Sequence, residues 1–436
     1  MLIARYFYKI QNKIQNRVRF FLRVWLFMSL SMVLQAQPVP SIFAELDNAS
    51  LFLLNAQHQV VMAKHADKAM IPASTTKLMT AFLALQHWGA EHRFHTNFYL
   101  SHTANHEAVL MVKGYGDPFL ISEEIEHLAK TLAQRLKAQK IESLSHLVLN
   151  TDYFQANVIL PGHSSTQNPY DAIPSVLAAN FNTLNVEQQQ GILVSAEPQT
   201  PLTPVARAWA MQPEVDLSQG RVNLGAQAKR CENYFAELLS HFLSKEGIRI
   251  QGSVVWGSLP ADQSHLIYQH DNSHTLAELI QPMMRYSTNF IANQLALILS
   301  AERYGAPATA EKVAKMFQEE IIGQFGWQDF KVEDGAGLSR QNRLSAKQLV
   351  MLLQKFKPWR HLLPEIMPQV VAKSGTLIGV TTLAGYIEVP ISGRAEQLQW
   401  APFALLINEP ASYHTRNQIT QRLKTALASQ SLVSAP

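Results

Sequence analysis

Two short apolar runs, Ala49 to Asn55 and Gln59 to Ala63, stand near the start of the chain with a short turn between them. Their length and boundaries predict two strands. A longer apolar run from Ser74 to about Trp88 follows Pro72 and predicts a helix. Near the other end, Val370 to Leu377, Thr381 to Glu388 and Phe403 to Ile407 predict three more strands. The last two are rich in apolar and β-branched residues. Helical patterns cover Thr275 to Tyr286, Asn289 to Tyr304, Ala308 to Ile321 and Ser345 to Phe356, with Pro282 expected to bend or restart the first. Gln418 to Ala428 also reads as a helix, and Ser429 to Pro436 as a loose tail. The two ends of the chain thus supply one antiparallel sheet of five strands flanked by helices, an α/β (α+β) fold.

The long middle interrupts this scheme. Residues 92–266 read as an insertion with its own strands and turns, dividing the main body into 37–91 and 267–436. Gly114-Tyr115-Gly116-Asp117-Pro118 is a turn cluster, and Leu147 to Leu149 and Val254 to Trp256 are strand pieces. No internal repeat or low-complexity tract is visible.

Composition adds a destination. Arg5, Lys9, Lys13, Arg17, Arg19 and Arg23 precede the apolar run Val24 to Leu34, with a small residue at Ala36. That order predicts a secretory signal over residues 1–36. An uncleaved signal would instead give peripheral membrane contact. The net charge of +4 belongs to this segment. Removing those six residues from 37 Lys+Arg leaves 31 against 33 Asp+Glu, about −2, so no nucleic-acid surface is implied. Cys231 is the one cysteine, which excludes an internal disulfide and fits a small buried apolar residue. The histidines show no His-Glu-x-x-His. His102 and His106, with Glu107, read as a surface pair, so no metal or other cofactor is expected.

Three short motifs carry chemistry. Ser74-Thr75-Thr76-Lys77 is the one Ser-x-x-Lys, Ser287-Thr288-Asn289 the one Ser-x-Asn, and Lys373-Ser374-Gly375 the one Lys-Ser/Thr-Gly. A lysine three residues after a serine on a helix shares its face. If its amine is neutral, it can take the hydroxyl proton. Ser74 is therefore the candidate nucleophile and Lys77 the general base. Ser74 would also suit a helix cap. Ser287 could relay a proton to a leaving amine, and Asn289 offers an amide to Lys77 and to a peptide carbonyl. The charge of Lys373 would hold a terminal carboxylate. Ser374 and Thr376 add hydroxyls, and Gly375 permits close backbone approach. The Ser74 and Thr376 N–H groups would form an oxyanion hole.

The order of the motifs is that of penicillin-binding proteins and serine β-lactamases. Over nearly the whole chain after the signal, the sequence resembles the low-molecular-mass class C penicillin-binding proteins, the DacB-type D-alanyl-D-alanine carboxypeptidases and endopeptidases. Gly114 to Leu120, Ala178 to Asn182, Asp334 to Arg340 and Lys373 to Gly385 carry that resemblance. It implies a transpeptidase-type domain with a large insertion, acting on peptidoglycan stem peptides in the periplasm and acylated by β-lactams. It also implies that Arg340 meets a carboxylate on the diaminopimelyl side chain. The chain departs from the pattern at Ser374, where threonine is commoner, at Tyr115 and at Asn150. Gly191 to Lys229 and Arg340 to Lys373 look short. Two other readings stay open: a serine β-lactamase, and a catalytically silent wall-binding protein on the same fold.

Overall fold

The computed structural model describes residues 41–391 and 394–433. The expected signal, residues 1–36, lies outside them. Both ends of the described chain meet in one antiparallel sheet with the order Glu365–Met367, Val370–Leu377, Val380–Ile391, Arg394–Ile407, Ala49–Leu54 and Val60–Lys64. The five expected strands are present, and a three-residue edge strand, Glu365–Met367, makes a sixth.

Alternation explains why these strands read as continuous apolar runs. Successive side chains on a strand point to opposite faces. Leu51, Leu53, Phe403, Leu405 and Ile407 point to one face, with Ile419, Leu423 and Leu427 of the Tyr413–Val433 helix. Leu54, Ala404 and Leu406 point to the other face, with the Lys77–Trp88, Asn289–Tyr304 and Ala346–Phe356 helices. Both faces are covered, so these strands are largely apolar, and polar residues on them such as Ser50 and Thr382 are buried with hydrogen-bond partners.

Helix boundaries follow local chemistry. Thr275 and Ser345 close capping boxes with Glu278 and Gln348. Asn289–Tyr304 is helical as expected, and Leu276–Tyr286 runs through Pro282 without ending there. One expectation fails: the last helix continues to Val433, so Ser429 does not begin a loose tail. Apolar anchoring by Ile419, Leu423 and Leu427 holds its earlier turns on the sheet, and the helix propagates beyond them.

The inserted segment builds a mixed five-stranded sheet, in the order Val254–Trp256, His146–Asn150, Ala108–Lys113, His95–His102 and His265–Asp271. The Ser122–Ala138 and Ala228–Lys245 helices pack on it through Leu128, Leu132, Phe235 and Leu239. Its last strand runs on to Asp271, beyond residue 266. Cys231 is buried in this core, and burial pushes its thiol up to about 12. Part of the insertion leaves this core: Phe154, Val158, Leu160, Ala172 and Val176 pack with the helices around Lys77–Trp88. The Gly191 to Lys229 stretch takes part in a small sheet of Ile192–Ser195, Thr183–Gln189 and Arg221–Asn223. Among the described residues, no helix is long and apolar enough to cross a membrane.

Candidate active site

Ser74 lies in a single 3-10 turn, Ala73–Thr76, that leads into the Lys77–Trp88 helix. The turn is tied down from three sides. Thr382 Oγ1 donates to Pro72 O at 2.9 Å, and the Asn408 side chain bonds both backbone groups of Ile71. Ala73 holds a φ of 47°, which an L-residue adopts only under constraint. Gly337, at φ 83°, packs directly on the Ala73 carbonyl, where a Cβ would collide. Gly375 does the same on the other side: a Cβ there would come within 2.8 Å of Ser74 N. This close approach brings the backbone at Gly375 beside Ser74.

Ser74 caps no helix. Its Oγ lies 3.0 Å from Lys77 Nζ. That amine also donates to Asn289 Oδ1 at 2.8 Å and to Ala336 O at 2.7 Å. Lys77 is fully buried. Burial, and then the charge of Lys373, hold its pKa well below the usual lysine range, against a weaker opposing pull from Asp334. A lysine so lowered, facing a half-buried hydroxyl, is the arrangement that general-base activation needs.

The other two motifs close around this pair. Ser287 ends the Leu276–Tyr286 helix in the left-handed region, with φ 58° and ψ 38°. Glycine is the usual residue there, so a serine is held at some cost. Its Oγ accepts from Lys373 Nζ at 3.0 Å. Lys373 also donates to Ser374 O at 2.7 Å and is 1% exposed. Burial, followed by the charge of Arg416, lowers its pKa to about 7. Asn289 begins the next helix and donates through Nδ2 to Tyr170 O at 2.9 Å. Ser74, Lys77 and Asn289 thus form one chain of contacts, and Ser287 with Lys373 a second pair whose charge is felt at Lys77. Ser374 is half-buried, Gly375 buried and Thr376 exposed, on the strand that flanks it.

Arg340 stands apart from that chain. It is exposed, and its Nη2 donates to Ile378 O at 2.6 Å, in the turn after the Lys373 strand. Tyr170, Tyr286 and Ile378 are exposed apolar residues close to these groups in the chain.

Several contributors escaped the sequence reading. The buried Asp334 accepts from the N–H groups of Ala336, Leu338 and Ser339, and from Asn342 Nδ2. It shapes the loop that offers Ala336 O to Lys77. Burial raises its pKa despite those donors. The Asp334-Gly335-Ala336-Gly337 segment had drawn notice only as a pattern. Thr382, Asn408 and Tyr170 O carry no local signal, since each acts across more than a hundred residues of sequence.

Residues 45–368 match the family described as D-Ala-D-Ala carboxypeptidase 3 (S13). The D-alanyl-D-alanine carboxypeptidase DacB of Haemophilus influenzae is 25% identical over 410 residues, 80% of this chain and 83% of that protein. A D-alanyl-D-alanine carboxypeptidase of an Actinomadura species is 22% identical over 409 residues, covering 77% and 74%. The crystal structure of penicillin binding protein 4 (dacB) from H. influenzae has a TM-score of 0.71 at 20% identity, covering 88% of this chain and 98% of that one. In its complex with a β-lactam the TM-score is 0.66 at 22% identity, with the same coverage.

Proposed function

Because the chain belongs to the D-Ala-D-Ala carboxypeptidase 3 (S13) family, we propose that Ser74, Lys77, Ser287, Asn289 and Lys373 form the catalytic set of a serine-type D-Ala-D-Ala carboxypeptidase. The observation that carries the reading is the buried Lys77 amine, 3.0 Å from Ser74 Oγ and held well below its ordinary pKa.

The steps follow from the contacts. Ser74 Oγ attacks the carbonyl carbon of the penultimate D-alanine, and its proton passes to Lys77 Nζ. The N–H groups of Ser74 and Thr376 take the developing oxyanion. The C–N bond breaks, and the leaving amine of the terminal D-alanine gains a proton through Ser287. Lys373 resupplies Ser287 across their 3.0 Å contact and regains its own proton from Lys77, which leaves Lys77 neutral again. Water then attacks the ester carbonyl and gives its proton to Lys77; the bond to Ser74 Oγ breaks, Lys77 returns that proton to Ser74, and the shortened peptide leaves as the acid. Asn289 holds Lys77 and presents its amide to the stem peptide. Lys373, Ser374, Gly375 and Thr376 bind the substrate's carboxylate end. Arg340 retains N–H donors beyond its bond to Ile378 O, and we assign it the carboxylate of the third stem residue. β-Lactams acylate Ser74 by the same route.

The substrate class places the work outside the cytoplasm, and residues 1–36 serve as the export signal to the periplasm. The bodies 37–91 with 267–436, and 92–266, are the catalytic and inserted domains in this proposal. Incubation with a fluorescent penicillin and with a D-Ala-D-Ala pentapeptide tests it. Long-lived labelling with D-Ala release is expected. Fast drug turnover without D-Ala release would replace it with a β-lactamase, and no labelling would leave a silent wall-binding protein.

A further inference from the structure

The Tyr413–Val433 helix crosses the back of the strand that carries Lys373. Its start is tied to the sheet by Thr381 Oγ1, which donates to Ala411 O at 3.2 Å. Thr381 lies directly opposite Thr376 in the neighbouring strand. Thr376, Leu377, Thr381, Ala411, Ser412 and Tyr413 line one open cleft of about 540 Å³. Ser374 is paired with Leu383, whose side chain packs on this same helix. Paired residues share a face, so Ser374 points toward the helix while Lys373 points toward the Ser74 side.

Arg416 lies one helical turn beyond Tyr413, its guanidinium carbon 5.3 Å from the centre of that ring. It is 9% exposed. Its Nε and Nη2 both donate to Asn417 Oδ1, at 3.2 and 3.0 Å. Among the described residues no Asp or Glu forms an ion pair with Arg416 or with Lys373. A buried cation normally meets a carboxylate, because desolvation is otherwise uncompensated. Here one buried cation lies on the strand and another on the helix that covers the sheet, and neither has one.

We infer that Arg416 is a positioning residue for the substrate's terminal carboxylate, adding a second positive charge behind the Lys373-Ser374-Gly375-Thr376 strand. The missing counter-charge for the two cations arrives with the substrate. Arg416 works through the field it sets at Lys373 and Ser374 and touches no reacting atom. Its influence on Lys373, the main charged effect there after burial, agrees with that placement. This inference rests on the carboxypeptidase reading above.

The test compares two peptides that differ only at the last group, a D-Ala-D-Ala peptide with a free C-terminal carboxylate and the same peptide as its C-terminal amide. Two variants are used. Arg416→Gln removes the charge. Asn417→Asp keeps the shape and the hydrogen bonds but neutralises Arg416 with a carboxylate. Each is expected to lower kcat/KM on the free acid on the order of tenfold, mostly through KM. On the amide each should change it less than about twofold. Arg416→Lys should recover most of the loss. Equal losses on both peptides in Asn417→Asp, or none on the acid, would overturn the inference even if Arg416→Gln does not fold. A wild-type protein inactive on both peptides would overturn the carboxypeptidase reading and this inference together.

Discussion

In the inserted sheet, Glu124 and His270 meet at 2.7 Å with both side chains almost fully buried. Nearby, Asp117 accepts two bonds from Asn272, at 3.1 and 2.9 Å. Beside the six-stranded sheet, Lys77 and Lys373 are as deeply buried, yet their partners are hydroxyls, an amide oxygen and backbone carbonyls. The contrast separates scaffold from chemistry. Removing one member of a buried matched pair leaves the other uncompensated and is strongly destabilising. A buried amine among neutral oxygens is destabilising, and the lowered pKa of both lysines records that cost. The same lowering makes Lys77 a usable base.

The largest expected effect sharpens the contrast at its centre. Ser74→Ala should abolish penicillin labelling and reduce D-Ala release by about 10⁴-fold or more, with the thermal midpoint unchanged. Retained labelling would remove Ser74 from its role. Lys77→Met should slow acylation by roughly 10³-fold, measured by stopped-flow with a chromogenic β-lactam. Because it replaces a buried amine with an apolar chain of similar length, it should leave stability equal or higher. Glu124→Ala should do the reverse. It strands His270 and the Ser273 N–H, so urea unfolding should show a loss of about 3 kcal/mol while acylation stays within about threefold. A loss of acylation as large as that of Lys77→Met would break the comparison.

Titration gives two smaller readouts. The kcat/KM profile should fall above about pH 7, as Lys373 loses the charge that holds the carboxylate, while the lowered Lys77 sheds its proton below the ordinary lysine range. Lys373→Arg should flatten the alkaline limb, since arginine stays charged. A limb that persists would assign the titration elsewhere. In the inserted sheet, burial pushes Glu124 up, but bonds from His270 and Ser273 outweigh it and bring the carboxylate down to about 2. A carboxylate lowered in the folded state stabilises the fold above its unfolded pKa. Stability should therefore drop as pH falls from about 4.5 toward 2, and Glu124→Gln should remove that part of the slope in chemical denaturation.

Much of the main body was legible because its signals are local. Strands buried on both faces read as apolar runs, and the Thr275 and Ser345 caps lie beside the helices they start. Ser74, Lys77, Ser287, Asn289 and Lys373 were legible because their motifs are short and occur in one order. The sixth strand was missed because Glu365–Met367 is three residues long and at an edge, where no apolar pattern is required. The end of the last helix was missed because propagation past its apolar anchors leaves no alternating signal.

What the residues along the chain determined alone was which groups can do the chemistry: a hydroxyl, two amines, an amide and a glycine-bearing strand. Folding decided their state. Only the packed structure makes Lys77 a weak cation, since its environment comes from Lys373, Asp334 and Ala336, more than 250 residues away in sequence. Only the packed structure lays the helix that carries Arg416 over the sheet that carries Lys373. Electrostatic environment depends on distance and burial in space, and neither is written in the order of residues.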